Sequence, residues 1–200
     1  MKDKLVLIGL DPGTRQTGWA VLHGEQLQAH GTLIPKRTLH GIDRQLWLLS
    51  KLQDIVREWQ PALLAYEEFT WRSYDDEAER YVNGRPDMER LIGGIQSLAL
   101  APPFPVVMGL LPSRWGQQLT GQRSHTKQQV AFCVNARLHT EFKGDYYDNH
   151  ACDAVGLALV AGDMLRQQHT VGTESHVGGG TYVRPQPRVL VERRYETGEK

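Results

Sequence analysis

Cysteine is scarce in this 200-residue chain: there are two, Cys133 and Cys152, and no CxxC pair. That spacing offers neither a disulfide framework nor a thiolate zinc site, and it fits a reducing, cytoplasmic setting. Long apolar runs are also missing. No stretch approaches the ~18 consecutive apolar residues that span a bilayer, so no membrane partner is expected. The short apolar run at 5–10 leads into Asp11-Pro12-Gly13 rather than a small-residue cleavage site, and reads as a strand instead of a signal-peptide core. Internal repeats are absent. So is any excess of charge: 23 Lys+Arg stand against 23 Asp+Glu. Such a balance, taken over the whole chain, counts against a nucleic-acid partner.

A more local absence reverses that inference. From position 90 to 140 there is no Asp or Glu, while Arg90, Arg114, Arg123, Lys127 and Arg137 are present with His125 and His139. The preceding stretch, 67–89, holds eight acids against three arginines. Neutrality is therefore the sum of an acidic segment and an acid-free basic one, and the latter reads as a surface for an anion. Dilution of all charge by the apolar residues at 91–111 is the competing explanation.

What is present is enough for one hydrophobic core over residues 1–169, with 170–200 as an extension. That extension, carrying Gly178-Gly179-Gly180 and Arg184-Pro185-Gln186-Pro187, reads as mostly flexible with a small hairpin near Pro-Gln-Pro. Residues 5–10, 17–22 and 27–34 read as three strands of an antiparallel meander, turning at His23-Gly24-Glu25. Apolar residues at helical spacing over 40–59 give a helix ended by Gln60-Pro61, and 62–66 a fourth strand running into Glu67-Glu68. Residues 70–88, with Asn83-Gly84-Arg85-Pro86, read as a long loop or lid with a short helix. Helices at 88–100, 126–138 and 151–168 and a fifth strand at 105–108 complete the order βββαβαβαα, an α/β fold with a mixed sheet.

Ionisable residues stand at the ends of these elements. Asp11 closes the first strand and Glu67 the fourth, while His150 and Asp153 share a face at i, i+3 on the last helix. Hard oxygen ligands with one imidazole suit Mg²⁺ or Mn²⁺ beside a phosphate. Two such ions would activate water and stabilise the departing oxygen. Asp11 before Pro12-Gly13 is equally readable as a turn aspartate. Glu67 and Asp153 sit among apolar neighbours, where a carboxylate needs a partner. Asp148 or Asn149 is a natural N-cap of the last helix.

Three strings then carry a resemblance. Ile8-Gly9-Leu10-Asp11-Pro12-Gly13-Thr14-Arg15-Gln16-Thr17-Gly18-Trp19, Leu64-Ala65-Tyr66-Glu67 and His150-Ala151-Cys152-Asp153-Ala154 together resemble the RuvC family of Holliday junction resolvases, over residues 4–168. The resemblance implies an RNase H-like fold with a mixed five-stranded sheet flanked by helices. It implies a homodimer with two Mg²⁺ ions per active site that hydrolyses symmetric phosphodiesters of a four-way DNA junction; a branch-migration helicase is a candidate partner. Asp11, Glu67 and Asp153 match three of the family's metal-binding acids, and His150 the fourth position, where Mn²⁺ would be favoured somewhat more. Asp148 matches no catalytic position and is read as an outer partner fixing the His150 tautomer.

Lys127 aligns with a basic residue near the scissile phosphate. The family's second lysine is absent, since Gly116 or Gln117 falls there, and Arg114 is the candidate substitute. Phe69, Trp71 and Tyr74 are candidates for the aromatic that stacks on junction bases, with Arg72 and Arg123 as further DNA contacts; Phe69 is as readable as a core residue. The acidic insertion and the extension depart from the family pattern and leave cellular or phage and mobile-element origin open. Other RNase H-like nucleases, acting on RNA, flaps or single strands, share such a carboxylate site. A junction-binding protein without cleavage should lack one of the acids. A kinase of the actin type, suggested by Asp11-Pro12-Gly13-Thr14, needs about twice this length.

Overall fold

The computed structural model describes residues 5–69, 78–145 and 148–174. Strands β1 (Val6–Asp11), β2 (Thr17–His23) and β3 (Gln26–Leu33) form the expected antiparallel meander, with Gly24 at φ 64° in the tight turn between the last two. Strand β4 (Leu63–Glu67) pairs in parallel with β1, and β5 (Val106–Leu110) in parallel with β4. The result is a mixed five-stranded sheet in the order β3-β2-β1-β4-β5.

Helices cover both faces. On one, α1 (Gly41–Trp59) and α2 (Ala78–Ser97) bury Leu48, Leu52, Leu91 and Ile95 against Ile8, Leu10, Val21 and Leu64. On the other, α3 (Pro112–Thr120), α4 (Lys127–Leu138) and α5 (Asn149–Glu174) pack Trp115, Val130 and Val134 with Ala154, Val155 and Ala158 against Leu7, Ala20 and Ala65. The middle of α5 is apolar on all sides because it lies between the sheet and α3–α4. Cys133 and Cys152 are free, and burial pushes the Cys152 thiol up to about 12, so it stays protonated.

Three expectations change. Helix α2 begins at Ala78, ten residues before the expected start, and runs through Gly84 and Pro86. Those residues were read as breakers, yet a helix anchored on α1 by Leu91 and Ile95 tolerates the one backbone hydrogen bond that proline removes. Helix α3 is an additional element. Pro112 at its first turn and Gly121 at φ 76° just past its end are the start and stop signals of this nine-residue helix. Helix α5 continues to Glu174, beyond the expected 168. The remainder of the extension, the expected hairpin included, lies outside the described residues, as do Trp71, Arg72 and Tyr74.

Helix α5 meets the sheet through glycine. A Cβ on Gly9 would lie 2.0 Å from the Ala154 carbonyl oxygen, and one on Gly18 1.9 Å from that of His150. Gly9→Ala must therefore push α5 away from β1 and is expected to lower the unfolding free energy by about 1–3 kcal/mol. Gly93→Ala on α2, whose added Cβ meets nothing within 4 Å, is expected to raise it by up to about 1 kcal/mol. Denaturant midpoints of the two variants test the contrast, and equal midpoints would contradict it.

Candidate active site

Strand periodicity aims the acids. In β1, Ile8 and Leu10 face α1 while Leu7 faces α5; in β4, Leu64 and Tyr66 face α1 while Leu63 and Ala65 face α5. Successive side chains alternate, so Asp11 and Glu67 both emerge on the α5 side. The register pairs Leu10 with Tyr66, which makes Asp11 and Glu67 the next row, at the carboxyl ends of adjacent parallel strands. The first turn of α5 presents His150 and Asp153 to them.

His150 Nδ1 lies 2.5 Å from Asp11 Oδ2, and the Gln16 side-chain amide donates to His150 Nε2 at 2.7 Å. An amide NH₂ can only donate, so in the neutral ring Nε2 accepts and the proton sits on Nδ1, facing Asp11. Asp153 is 1% exposed, and its Oδ2 accepts a short hydrogen bond from the Lys127 ammonium at the start of α4. Its other oxygen, Oδ1, is buried without a partner. Glu67 Oε2 accepts from the Trp115 indole at 2.8 Å.

These neighbours set the charge states. Burial, reinforced by the Asp11 carboxylate, pushes Glu67 up to about 7 against the opposing pull of the Trp115 N–H. Burial likewise raises Asp153 to about 6, even beside Lys127. The hydrogen bond to Asp11 raises His150, outweighing its own burial. Lys127 is also raised: its desolvation is overcome by Asp153, Asp11 and Glu67, so the ammonium stays charged.

The expected residues Asp11, Glu67, His150, Asp153 and Lys127 thus converge. Among the described residues no three His, Cys, Asp or Glu groups form a closed ligand cluster, because His150 and Lys127 hold the acids internally. The donor set nonetheless fits a hard divalent cation: three carboxylates, one imidazole and an orphaned buried oxygen on Asp153.

Other expectations fare differently. Asp148 does not contact His150 as an outer partner; its two oxygens accept from the backbone N–H groups of Lys143, at 2.6 Å, and Asp145, at 3.1 Å, and the imidazole takes Asp11 and Gln16 instead. Phe69, just past β4, is 37% exposed and so is no core residue; it lines a cavity of about 220 Å³ with Tyr66, Glu68, Ile92 and Gln96. Arg114 and Arg123 are exposed, near the two ends of the α3 segment. Of the other cations in the acid-free tract, Arg90 pairs with Asp87 and Arg137 with Asp163. Sequence reading overlooked Gln16 and Trp115. Gln16 lies inside the first motif, and Trp115 one turn after the Pro112 that starts α3, so recognising that helix would have brought the indole to the sheet.

Comparison with known proteins gives a consistent picture. The family model described as crossover junction endodeoxyribonuclease RuvC matches residues 7–161. The chain is 26% identical to the crossover junction endodeoxyribonuclease RuvC of Bartonella henselae, over 88% of this chain and 97% of that one. It is 27% identical to that of Bartonella quintana, over 80% and 90%. Among solved structures, Thermus thermophilus RuvC in complex with a Holliday junction substrate superposes with a TM-score of 0.67 at 20% identity, over 82% of this chain and 96% of that one. The yeast mitochondrial Holliday junction resolvase Ydc2 superposes at 0.56 and 14% identity, over 86% and 82%. At those identities the likeness concerns the fold, which is RNase H-like.

The raised groups predict how stability responds to pH and metal. Glu67, Asp153 and His150 all bind protons more tightly folded than unfolded, so their contribution is complete at low pH and is lost as pH rises, through about 6 for Asp153 and about 7 for Glu67. In EDTA the wild-type melting temperature should therefore fall between pH 5 and 8 more steeply than that of Glu67→Gln. Mg²⁺ or Mn²⁺ should raise it more at pH 8 than at pH 5, since the ligands must be deprotonated. Melting curves at both pH values check this, and a wild-type response to metal that is the same at both would contradict it.

Proposed function

Because the chain belongs to the RuvC family of crossover junction endodeoxyribonucleases, we propose that it resolves four-way DNA junctions with a metal site built from Asp11, Glu67, His150 and Asp153. The observation that carries this reading is the convergence of those groups with Lys127 at the carboxyl ends of β1 and β4. The enzyme class is phosphodiester hydrolysis; Mg²⁺, with Mn²⁺ as a substitute and two ions per site, is the cofactor this donor set supports. When bound, such cations lower the pKa of water and neutralise charge that develops on the phosphate.

The chain's own residues divide the remaining work. Asp11 and Glu67 supply oxygens from two strands whose spacing the sheet holds rigid. Asp153 supplies a third carboxylate from α5, already stripped of water. Gln16 and Asp11 hold the two nitrogens of His150 and set its ring plane, so ligation through the imidazole would replace the Gln16 bond at Nε2. Lys127, half exposed, offers a permanent positive charge to a phosphate oxygen. Arg114, Arg123 and Phe69, all exposed, are candidate DNA contacts, the last by stacking. Among the described residues no helix is long and apolar enough to cross a membrane, and a cytoplasmic location beside DNA fits the reading. Symmetric nicking requires two such sites, hence a homodimer, and a branch-migration helicase is the partner class that would deliver junctions.

Cleavage of a labelled four-way junction and of matched linear duplex, in Mg²⁺, Mn²⁺ and EDTA, tests the proposal. Glu67→Gln should lose more than about 100-fold in rate, beyond the 10–100-fold typical of groups that only support a metal ligand. In EDTA the same variant should bind the junction more tightly than wild type, because one uncompensated carboxylate facing the phosphates is gone. Cleavage that survives EDTA, equal cutting of linear duplex, or a monomeric mass by light scattering would each overturn its part of the reading.

A further inference from the structure

The Trp115 ring, 2% exposed, makes two contacts that join separate parts of the site. At its edge, Nε1–H donates to Glu67 Oε2 at 2.8 Å. The His125 imidazole packs against it in a tilted arrangement, with ring centroids 5.7 Å apart and planes at 58°. His125 belongs to the connection between α3 and α4, and its ring rests on Gly116: a Cβ there would fall 1.8 Å from His125 Cε1 and 2.4 Å from Nε2. The ring fits only because position 116 has no side chain. His125 Nδ1 is buried and has no hydrogen-bond partner, so packing is what holds that side of the imidazole. Two residues on, Lys127 pairs with Asp153, and Thr126 caps α4 through a reciprocal bond with Gln129.

We propose that Trp115 is a positioning residue for Glu67, and that His125, seated on Gly116, is the wedge that keeps the indole on that carboxylate. The inference rests on the metal-site reading above and assigns residues that reading does not use. An indole suits the task. It fixes Oε2 through a single directional N–H and leaves Oε1 for ligation. Being neutral, it does not compete for the charge that a cation needs, as an arginine or lysine donor would. The wedge also ties the glutamate on β4 to the segment that leads into Lys127, so the metal side and the phosphate side of the site move as one body.

The test is calorimetric titration of the full chain with Mn²⁺ in the absence of DNA, for wild type, Trp115→Phe, His125→Ala, Gly116→Ala and the Trp115→Phe/His125→Ala pair. Trp115→Phe keeps a ring and loses the N–H, and should weaken Mn²⁺ binding about 10–100-fold. Gly116→Ala, which displaces His125 while retaining the indole, should weaken it to the same smaller extent as His125→Ala. The double variant should bind no more weakly than Trp115→Phe alone. A spectroscopic signature accompanies these: Mg²⁺ should change the wild-type tryptophan emission, and that change should be lost in Trp115→Phe and in Glu67→Gln. Wild-type affinity and a wild-type emission response in folded Trp115→Phe would overturn the role of the indole. Should that variant fail to fold, unchanged affinity and emission in both His125→Ala and Gly116→Ala would overturn the proposal. A double variant showing the product of the two single losses would remove His125 from it. Absence of Mn²⁺ binding by wild type would instead overturn the metal site itself, a result separate from any of these.

Discussion

Helix α5 touches the sheet backbone to backbone. At Gly9 and Gly18 no side chain intervenes between β1 or β2 and the carbonyl groups of Ala154 and His150. That approach brings the first turn of α5 within side-chain reach of Asp11, so a short imidazole and a short aspartate can meet a strand acid directly. An α5 held off by even one methyl layer would leave His150 and Asp11 unable to bond. The alanine-rich face of α5 is part of the same constraint. Ala151, Ala154 and Ala158 are buried at or near the contact, where larger residues would lift the helix.

Such closeness concentrates like charge. The carboxylates share a small, water-poor volume, where burial, reinforced by the Asp11 charge, raises Glu67 to about 7 and Asp153 to about 6. Burying an unpaired carboxylate costs several kcal/mol, so a metal-free chain needs counter-charges of its own. Lys127 on α4 supplies one to Asp153, and the His150 imidazole bonds Asp11. These internal partners hold the acids in place. They also require that metal binding displace existing bonds rather than fill a prepared cage, which fits the lack of a closed ligand cluster among the described residues.

The legibility of this arrangement from sequence followed its physics. Asp11 and Glu67 each end a continuous apolar run, and a charge at that position declares both the end of a strand and a demand for a partner. His150 and Asp153, one turn apart at the head of an Ala/Val/Leu helix, made the same demand. The β1–β2–β3 meander was readable from alternating runs around Gly24. What stayed hidden depended on contacts far apart in the chain. Gln16 reaches His150 across 134 positions and Trp115 reaches Glu67 across 48, and neither leaves a periodic trace. Helix α3 was not read from the sequence, although Pro112 stands where helices start and Gly121 where they stop. For α2 the same residue types misled in the opposite direction, since packing on α1 overrode Gly84 and Pro86.

Gly116 shows how composition at one position redistributes work at others. With no side chain there, no cation can project from position 116, and the space is taken by an imidazole that supports Trp115 instead. On the proposed reading, electrostatic neutralisation of a phosphate then falls more heavily on Lys127 and on bound metal, while the Trp115 N–H gives Glu67 a directional anchor. A charged group in that place would attract DNA at long range but would also draw Glu67 away from a cation. Exchanging it for packing trades affinity in the absence of metal for control of where the carboxylate points. The zero net charge of the chain has the same sense: the protein does not carry its full attraction for DNA in its own side chains, and the working surface becomes positive only when its acids are neutralised.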